Sequence, residues 1–276
     1  MTGQFFDRLK TRQQSLRTHL CIGLDPDLSR LPEHLLGEPD AIFRFNQAII
    51  DATSDLTCCY KPQNAHFTGI GAEDQLESTI HYLKDLDVPV LLDSKRGDVD
   101  STSVHYAREA FERYGADAVT ANPYMGHDAL MPFLDYKDRG VFVLCRTSNP
   151  GGADLQHLEL ASGDPLYVHV ARLAAEQWNQ NGNVGLVVGA TRPDELAHVR
   201  AACGDLPFLL PGIGAQGGDI EDAVQSSAGG PIIISASRSV LYAGSGVDFD
   251  QSARAAAEDT RQAINRVIER FNTGTR

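Results

Sequence analysis

Eight short apolar segments recur along the 276 residues and alternate with amphipathic stretches. Most are apolar throughout and do not alternate with polar residues, which is typical of parallel strands that are buried on both faces. Eight strands alternating with helices favour a (β/α)8 TIM barrel over a doubly wound sheet. The predicted strands are residues 19–25, 57–62, 88–95, 116–123, 140–148, 184–190, 206–212 and 231–237.

The alternation is not interrupted by a linker, a low-complexity tract or a short repeat. We therefore expect residues 1–276 to form a single barrel domain, a length that this fold commonly reaches. The first twenty residues lack the features of a secretory signal and predict an extra N-terminal helix with Phe5, Phe6, Leu9 and Leu16 on its apolar side. No apolar run approaches the roughly 18 residues of a membrane-spanning helix, so no membrane partner is expected.

The charge and the cysteines limit the classes of partner. A net charge of −13 argues against binding to nucleic acid, and an anionic substrate would need a few locally placed cations. The nine histidines show no metal-ligand spacing, so we expect no metal site. The five cysteines form no CxxC pair and are expected to be reduced core thiols of a cytoplasmic protein.

Polar and charged residues follow nearly every predicted strand. In a parallel barrel the carboxyl ends of the strands form one rim, and that rim carries the chemistry of the fold. The residues at these positions are Asp25, Lys61, Asp93, Lys95, Asn122, Thr147, Ser148, Thr191 and Arg238.

The densest group is the D-x-K-x-x-D motif that closes the third strand. Alternation along the strand places Asp93 and Lys95 on one face, and we expect Asp98 to open the next helix with Thr102 one turn further on. The motif alone is also compatible with a structural ion pair at a barrel mouth. Lys61, at the end of the neighbouring strand, would extend it into an ordered set of charges that can stabilise charge developing in a reaction.

A glycine-rich segment follows the seventh strand, and Ser237 and Arg238 follow the eighth. Loops in these positions are the usual phosphate-binding site of a TIM barrel, because glycine lets backbone N–H groups approach phosphate oxygens. Arg238 would supply a planar, bidentate cation.

These segments together resemble the orotidine 5′-phosphate decarboxylase family, specifically its longer bacterial branch, over nearly the whole chain. The TSNPG segment and the GAQGG…SRS pair fit this family better than the sugar-phosphate enzymes that share D-x-K-x-x-D. The motifs that carry the resemblance are CIGLDPD (21–27), YKPQNAHF (60–67), LLDSKRGDVDST (91–102), NPYMG (122–126), CRTSNPGG (145–152), VVGATRP (187–193), PGIGAQGG (211–218) and SRS (237–239).

The resemblance implies a homodimeric enzyme that converts orotidine 5′-phosphate to UMP without a metal or a cofactor. Lys95 would stabilise and then protonate a carbanion at C6 of the pyrimidine. The implied catalytic residues are Lys61, Asp93, Lys95 and Asp98, of which Asp98, with Thr102 beside it, would enter the neighbouring subunit's site. The implied substrate contacts are Asp25, Lys61 and the neighbouring subunit's Asp98 at the ribose, Ser148 at the pyrimidine, and Gln216, Ser237 and Arg238 at the phosphate.

Two other functions are compatible with the same barrel. A magnesium-dependent decarboxylase or aldolase of keto-sugar phosphates would need an acidic metal ligand near the end of the second strand, where this chain has Lys61, Gln63 and Asn64. A catalytically inert phosphosugar-binding barrel should have lost at least one of the four implied catalytic residues. This chain has all four of them, Lys61, Asp93, Lys95 and Asp98.

Overall fold

Eight parallel strands form one sheet in the computed structural model, which describes residues 4–212 and 219–274. The strand order is β2-β1-β8-β7-β6-β5-β4-β3, and two isolated bridges, Tyr60 with Val90 and Gln63 with Asp93, join the remaining edges and close the barrel. The strands are β1 (Leu20–Leu24), β2 (Cys59–Pro62), β3 (Leu91–Arg96), β4 (Ala118–Ala121), β5 (Gly140–Arg146), β6 (Val184–Val188), β7 (Phe208–Pro211) and β8 (Ile232–Ala236).

Helices surround the sheet and connect successive strands. The segments Glu109–Arg113 and Ala174–Trp178 continue two of these helices as single π-helical turns. The helices are α1 (Gln4–Leu16), α2 (Ala41–Thr53), α3 (Asn64–Thr68), α4 (Glu73–Asp85), α5 (Asp100–Arg108), α6 (His127–Leu134), α7 (Ala153–Gln156), α8 (Leu166–Leu173), α9 (Pro193–Cys203), α10 (Ile220–Ser226), α11 (Arg238–Leu241) and α12 (Phe249–Gly274).

The strands are buried on both faces, because alternate side chains serve two different cores. Side chains such as Ile22 and Val119 point outward and pack in the large cluster with the helices. Side chains such as Cys21 and Leu91 point inward and fill the lower part of the barrel. This double burial explains why the strand sequences are apolar throughout.

Helix α1 covers the end of the barrel at which the strands begin. Phe5 and Phe6 are buried against Phe142 of β5 in edge-to-face geometry, with ring centroids 6.2 and 5.6 Å apart. The helix is also held by an ion pair of 2.7 Å between Arg8 and Asp117. The opposite end of the barrel, where the strands finish, is left for the functional groups.

The predicted barrel and its extra N-terminal helix are confirmed. Each of the eight predicted strands is present. Six begin one to three residues after the predicted start, six end one or two residues before the predicted end, and β3 ends one residue beyond it. The prediction that Asp98 opens a helix is wrong, because α5 begins at Asp100. All five cysteines are buried and unpaired, as predicted.

Within the described ranges, none of the helices has the length and apolar character needed to cross a bilayer.

Candidate active site

Two ammonium groups flank one buried carboxylate at the carboxyl ends of β2 and β3. Lys61 Nζ lies 2.9 Å from Asp93 Oδ2, and Lys95 Nζ lies 2.5 Å from Asp93 Oδ1. Lys61 and Asp93 are almost fully buried, whereas 43% of the Lys95 side chain is exposed at the rim. We call Lys61, Asp93 and Lys95 the charged array, and Lys95 is its solvent-facing member.

The array keeps its members ionised. Burial by itself disfavours the charged form of Lys61, but the attraction of Asp93, and then of Asp25, outweighs it and raises the pKa of Lys61. Burial also opposes ionisation of Asp93, yet the ammonium groups of Lys61 and Lys95 hold the pKa of that carboxyl well below its usual range. The site therefore presents fixed charges, of which Lys61 and Asp93 are buried and Lys95 faces solvent.

An irregularity in β3 sets the position of Lys95. The pairing of β3 with β4 shifts register between Leu92 and Arg96, and Lys95 adopts a left-handed backbone conformation with φ of 49°. Thr120 of β4 stabilises this conformation, because its hydroxyl accepts a hydrogen bond of 2.9 Å from the Lys95 N–H. The same hydroxyl donates to Asp93 Oδ1 at 2.8 Å, so it fixes both ends of the Lys95–Asp93 pair.

Asp25 lies beside the array, just beyond the end of β1. Its Oδ1 atom is 4.0 Å from Lys61 Nζ and is buried without a hydrogen-bond partner among the described residues. A buried carboxylate oxygen of this kind is costly unless a ligand or water completes its hydrogen bonding. Asp25 is therefore suited to receive a donor such as a hydroxyl group.

Asp98 follows β3 and takes no part in the ion pairs of the charged array among the described residues of its own chain. Asp98 Oδ1 accepts a hydrogen bond of 2.8 Å from the Val99 N–H, and Asp98 forms no ion pair with any described residue. Thr102 is exposed on the first turn of α5. The structure thus brings together Asp25, Lys61, Asp93 and Lys95, and it leaves Asp98 and Thr102 on the surface nearby.

Ser148 lies in the turn that follows β5. Its backbone approaches the end of β6 so closely that a Cβ placed on Gly189 would lie 3.0 Å from Ser148 N. Gln156 at the end of α7 holds the preceding residue, because its Oε1 accepts from Thr147 N at 3.0 Å and its Nε2 donates to Thr147 Oγ1 at 2.8 Å. These contacts give Ser148 a defined position at the rim.

Ser237 and Arg238 follow β8 on the other side of the rim. Arg238 is exposed at the start of α11 and forms no ion pair with the described part of the chain. Ser237 lies against β1, where a Cβ placed on Gly23 would be only 1.9 Å from Ser237 Oγ. Gln216 and the glycines around it lie outside the described residues, so the predicted phosphate role of Gln216 stays a prediction.

Comparison with known proteins gives the family. The model of the orotidine 5′-phosphate decarboxylase / HUMPS family matches residues 18–259. An orotidine 5′-phosphate decarboxylase of Janthinobacterium sp. (strain Marseille) is 56% identical over 269 residues, which are 96% of this chain and 99% of that protein. The chain belongs to this family.

Solved structures agree with that assignment. The structure of Leishmania donovani OMP decarboxylase matches with a TM-score of 0.83 and 39% identity, covering 96% of this chain and 98% of that one. The structure of Leishmania donovani UMP synthase matches with a TM-score of 0.85 and 41% identity, covering 97% of this chain. The present chain spans 57% of that second protein.

Two residues at the site of this orotidine 5′-phosphate decarboxylase family member were not predicted from sequence. Thr120 carries no charge, and its contact with Asp93 depends on the irregularity of β3. The sequence indicated only that Thr120, two residues after Ala118 in β4, should point into the barrel. Gln156 was not predicted either, because its contacts with Thr147 depend on how the loop after β5 folds back.

Elsewhere in the part of the chain that the structure describes, we find no equivalent site. Within residues 4–212 and 219–274, no group of three or more His, Cys, Asp or Glu side chains is arranged to hold a metal ion. A cavity of about 850 Å³ lies between α1 and the beginnings of β6, β7 and β8, at the opposite end of the barrel, and contains none of the predicted site residues. The rim around the charged array is thus the candidate active site of this family member.

Proposed function

We propose that the charged array carries out the family's reaction in this chain. The enzyme decarboxylates orotidine 5′-phosphate to UMP in pyrimidine biosynthesis, the activity named for its curated relatives at 53–57% identity. The observation that supports the assignment of roles is the pair of ammonium groups held on either side of buried Asp93. Lys95 is the member exposed to a ligand at the rim.

In the proposed mechanism, the bond between C6 and the carboxylate breaks and its electron pair remains on C6. The Lys95 ammonium stabilises this developing negative charge and donates the proton that replaces CO2. Lys61 and Thr120 fix Asp93, and Asp93 fixes Lys95, so the cation is in position before the substrate arrives. Water reprotonates Lys95 after the product leaves.

The remaining predicted residues would bind the ribose, the phosphate and the pyrimidine of the substrate. The unsatisfied oxygen of Asp25 supports a contact with a ribose hydroxyl. Arg238, exposed at the start of α11, would bind the phosphate together with Ser237 and Gln216, and Ser148 would bind the pyrimidine. Binding energy from the phosphate can thereby contribute to catalysis at C6.

A second copy of the chain would complete the site. Asp98 pairs with no cation among the described residues of its own chain, and Thr102 is exposed beside it. The surface around them also exposes large apolar side chains, which are Val99, Val104, Tyr124, Met125 and Met131. Such a patch is suited to burial in an interface, so we propose a homodimer in which Asp98 and Thr102 enter the partner's site.

Two further proposals concern the whole chain. We propose that residues 1–276 form a single domain, since the eight strands belong to one sheet. We also propose a cytoplasmic location and no nucleic-acid partner, supported by five free thiols and by the net charge of −13.

The direct test follows the near-ultraviolet absorbance of orotidine 5′-phosphate after addition of the purified protein, with and without EDTA. We expect rapid loss of absorbance that EDTA does not slow. Lys95→Ala should reduce kcat by several orders of magnitude, while Lys137→Ala, which removes an exposed lysine far from the rim, should not. Substantial turnover by Lys95→Ala would refute the role of Lys95, and inhibition by EDTA would favour magnesium-dependent chemistry.

A further inference from the structure

The phenol of Tyr242 bridges the turn that follows β1. Its hydroxyl accepts a hydrogen bond of 2.7 Å from the Asp27 N–H and donates one of 3.1 Å to the Asp25 carbonyl oxygen. One hydroxyl can satisfy both groups at once, because it has one proton to donate and lone pairs to accept. The backbone on either side of Pro26 is therefore tied to a single side chain.

Two side chains pack on the ring of Tyr242. Phe45 stacks on one side with ring centroids 5.8 Å apart and an interplanar angle of 16°, and the guanidinium carbon of Arg30 lies 3.9 Å from the ring centroid. Burial raises the pKa of Tyr242 to about 12, so the phenol keeps the proton that its bond to Asp25 requires. Tyr242 is consequently a rigid support for the turn.

Tyr242 also belongs to the segment that carries Arg238. It directly follows α11, and its N–H donates to the Arg238 carbonyl oxygen at 3.3 Å. The two segments meet a second time one turn earlier, at the close approach of Ser237 to Gly23. The turn that contains Asp25 and the helix that begins at Arg238 are therefore packed as one unit.

We infer that Tyr242 is a positioning residue that couples the phosphate-binding segment at Arg238 to Asp25. A phosphate held by Arg238 would fix α11, and the Tyr242 hydroxyl would transmit this order to Asp25, whose carboxylate lies beside Lys61. The inference rests on the proposed roles of Arg238 at the phosphate and Asp25 at the ribose. It adds a residue that touches neither the substrate nor the charged array.

The test is a double-mutant cycle of Tyr242→Phe and Arg238→Ala, with kcat/KM for orotidine 5′-phosphate as the readout. Tyr242→Phe keeps the ring and removes both hydrogen bonds, and we expect it to lower kcat/KM roughly tenfold in the wild-type background. In the Arg238→Ala background the same change should lower kcat/KM less than about threefold, because the contact between Arg238 and the phosphate, from which the coupling starts, is already lost. Equal losses in both backgrounds would show that Tyr242 acts independently of Arg238, and the inference would be overturned.

Tyr114→Phe is the matched control, because Tyr114 is buried and its hydroxyl has no hydrogen-bond partner among the described residues. It should leave kcat/KM unchanged, and thermal unfolding of each variant shows whether the fold is retained. Wild-type protein that does not consume the substrate would refute the proposed function. Active wild-type protein with an equally active Tyr242→Phe variant would refute only the role of Tyr242.

Discussion

Asp93 is the residue on which the other charges of the site depend. A carboxylate this deeply buried is unfavourable on its own, and two lysines together with the Thr120 hydroxyl compensate for the loss of water. The arrangement is useful for catalysis because it holds the Lys95 cation at the rim without requiring reorganisation during the reaction. Changes around Asp93 should therefore affect both activity and stability, in proportions that depend on which contact is lost.

Thr120→Val should lower both activity and stability. The substitution keeps the shape of the side chain but removes the donor to Asp93 and the acceptor for the Lys95 N–H. A buried hydrogen bond to a charged group contributes roughly 1.5–3 kcal/mol, so we expect kcat to fall by about ten- to a hundredfold.

The control for this prediction is Thr18→Val, which removes a buried hydroxyl that donates to the Leu56 carbonyl oxygen at the other end of the barrel. It should cost stability in urea unfolding while kcat stays the same. Thr120→Val with unchanged kcat would show that the array does not need this hydroxyl.

Asp93→Asn should destabilise the protein in a way that depends on pH. Removing one partner of a buried ion pair costs about 3–5 kcal/mol at neutral pH. The native pKa of Asp93 lies below the value of about 3.9 expected in an unfolded chain. Its ionised form therefore stabilises the native state above that pH, and the contribution is lost as the pH falls towards the native pKa.

Urea unfolding of wild type and Asp93→Asn between pH 7 and pH 3 measures this effect. The difference in unfolding free energy should be constant from pH 7 to about pH 5 and should shrink below about pH 4. Asp154→Asn changes an exposed carboxylate and should show no difference at any pH. If the difference in unfolding free energy between wild type and Asp93→Asn grew as the pH fell, the lowered pKa assigned to Asp93 would be wrong.

At the scale of elements, the sequence indicated the barrel well because its strands are buried on both faces. Runs such as residues 184–190 have few alternative structures, and polar residues marked the ends of the strands. Asp93 and Lys95 were predicted to share a face and are in contact. The contact is made through the register shift and positive φ at Lys95, however, and strand alternation does not predict these features.

The start of α5 and the role of Thr120 could not be derived for a related reason. Asp98 looked like a helix N-terminus because it follows Gly97, but Asp100 has a φ of 48° and the helix begins only there. Irregular backbone of this kind depends on contacts between neighbouring strands. One example is the hydrogen bond that the Asn122 N–H donates to the Arg96 carbonyl oxygen. These contacts join segments that are distant in sequence, so no local pattern reports them.

A substitution in the buried face of helix α1 should lower stability and leave kcat unchanged. Phe5 is buried against Phe6 and Phe142 at the end of the barrel remote from the charged array. Phe5→Ala should cost about 3–5 kcal/mol of unfolding free energy, with kcat preserved at temperatures where the protein remains folded. Urea unfolding and the absorbance assay measure the two quantities, and Phe5→Leu, which refills most of the volume, should recover most of the stability. A large fall in the kcat of Phe5→Ala under conditions in which the variant is fully folded would contradict this prediction.

At the scale of the whole molecule, the proposed dimer predicts that two inactive variants restore each other. In a mixed dimer of Lys95→Ala with Asp98→Ala, one site combines both substitutions and the other has its own Lys95 with an intact Asp98 from its partner. Random exchange of subunits should give about a quarter of wild-type activity. The measurement is kcat before and after the two proteins are mixed under conditions that allow subunit exchange.

Sedimentation of each variant alone provides the control, because both should remain dimeric. Tyr124→Asp, which places a charge in the exposed apolar patch, should yield monomers and lose activity at the same time. If mixing restored no activity although the subunits exchanged, Asp98 would act within its own chain.

The junction between β2 and β3 differs from the other seven. Among the described residues it is joined by two isolated bridges in place of a continuous ladder, and the Lys61–Asp93 ion pair spans the same junction. Closure of the barrel and assembly of the active site thus rely on the same few contacts. A ligand that engages these side chains also favours the closed barrel, so its binding free energy adds to the free energy of unfolding. We therefore expect bound substrate to reduce local opening at residues 60–63 and 90–93. Substrate binding and folding of the barrel are in this way thermodynamically linked.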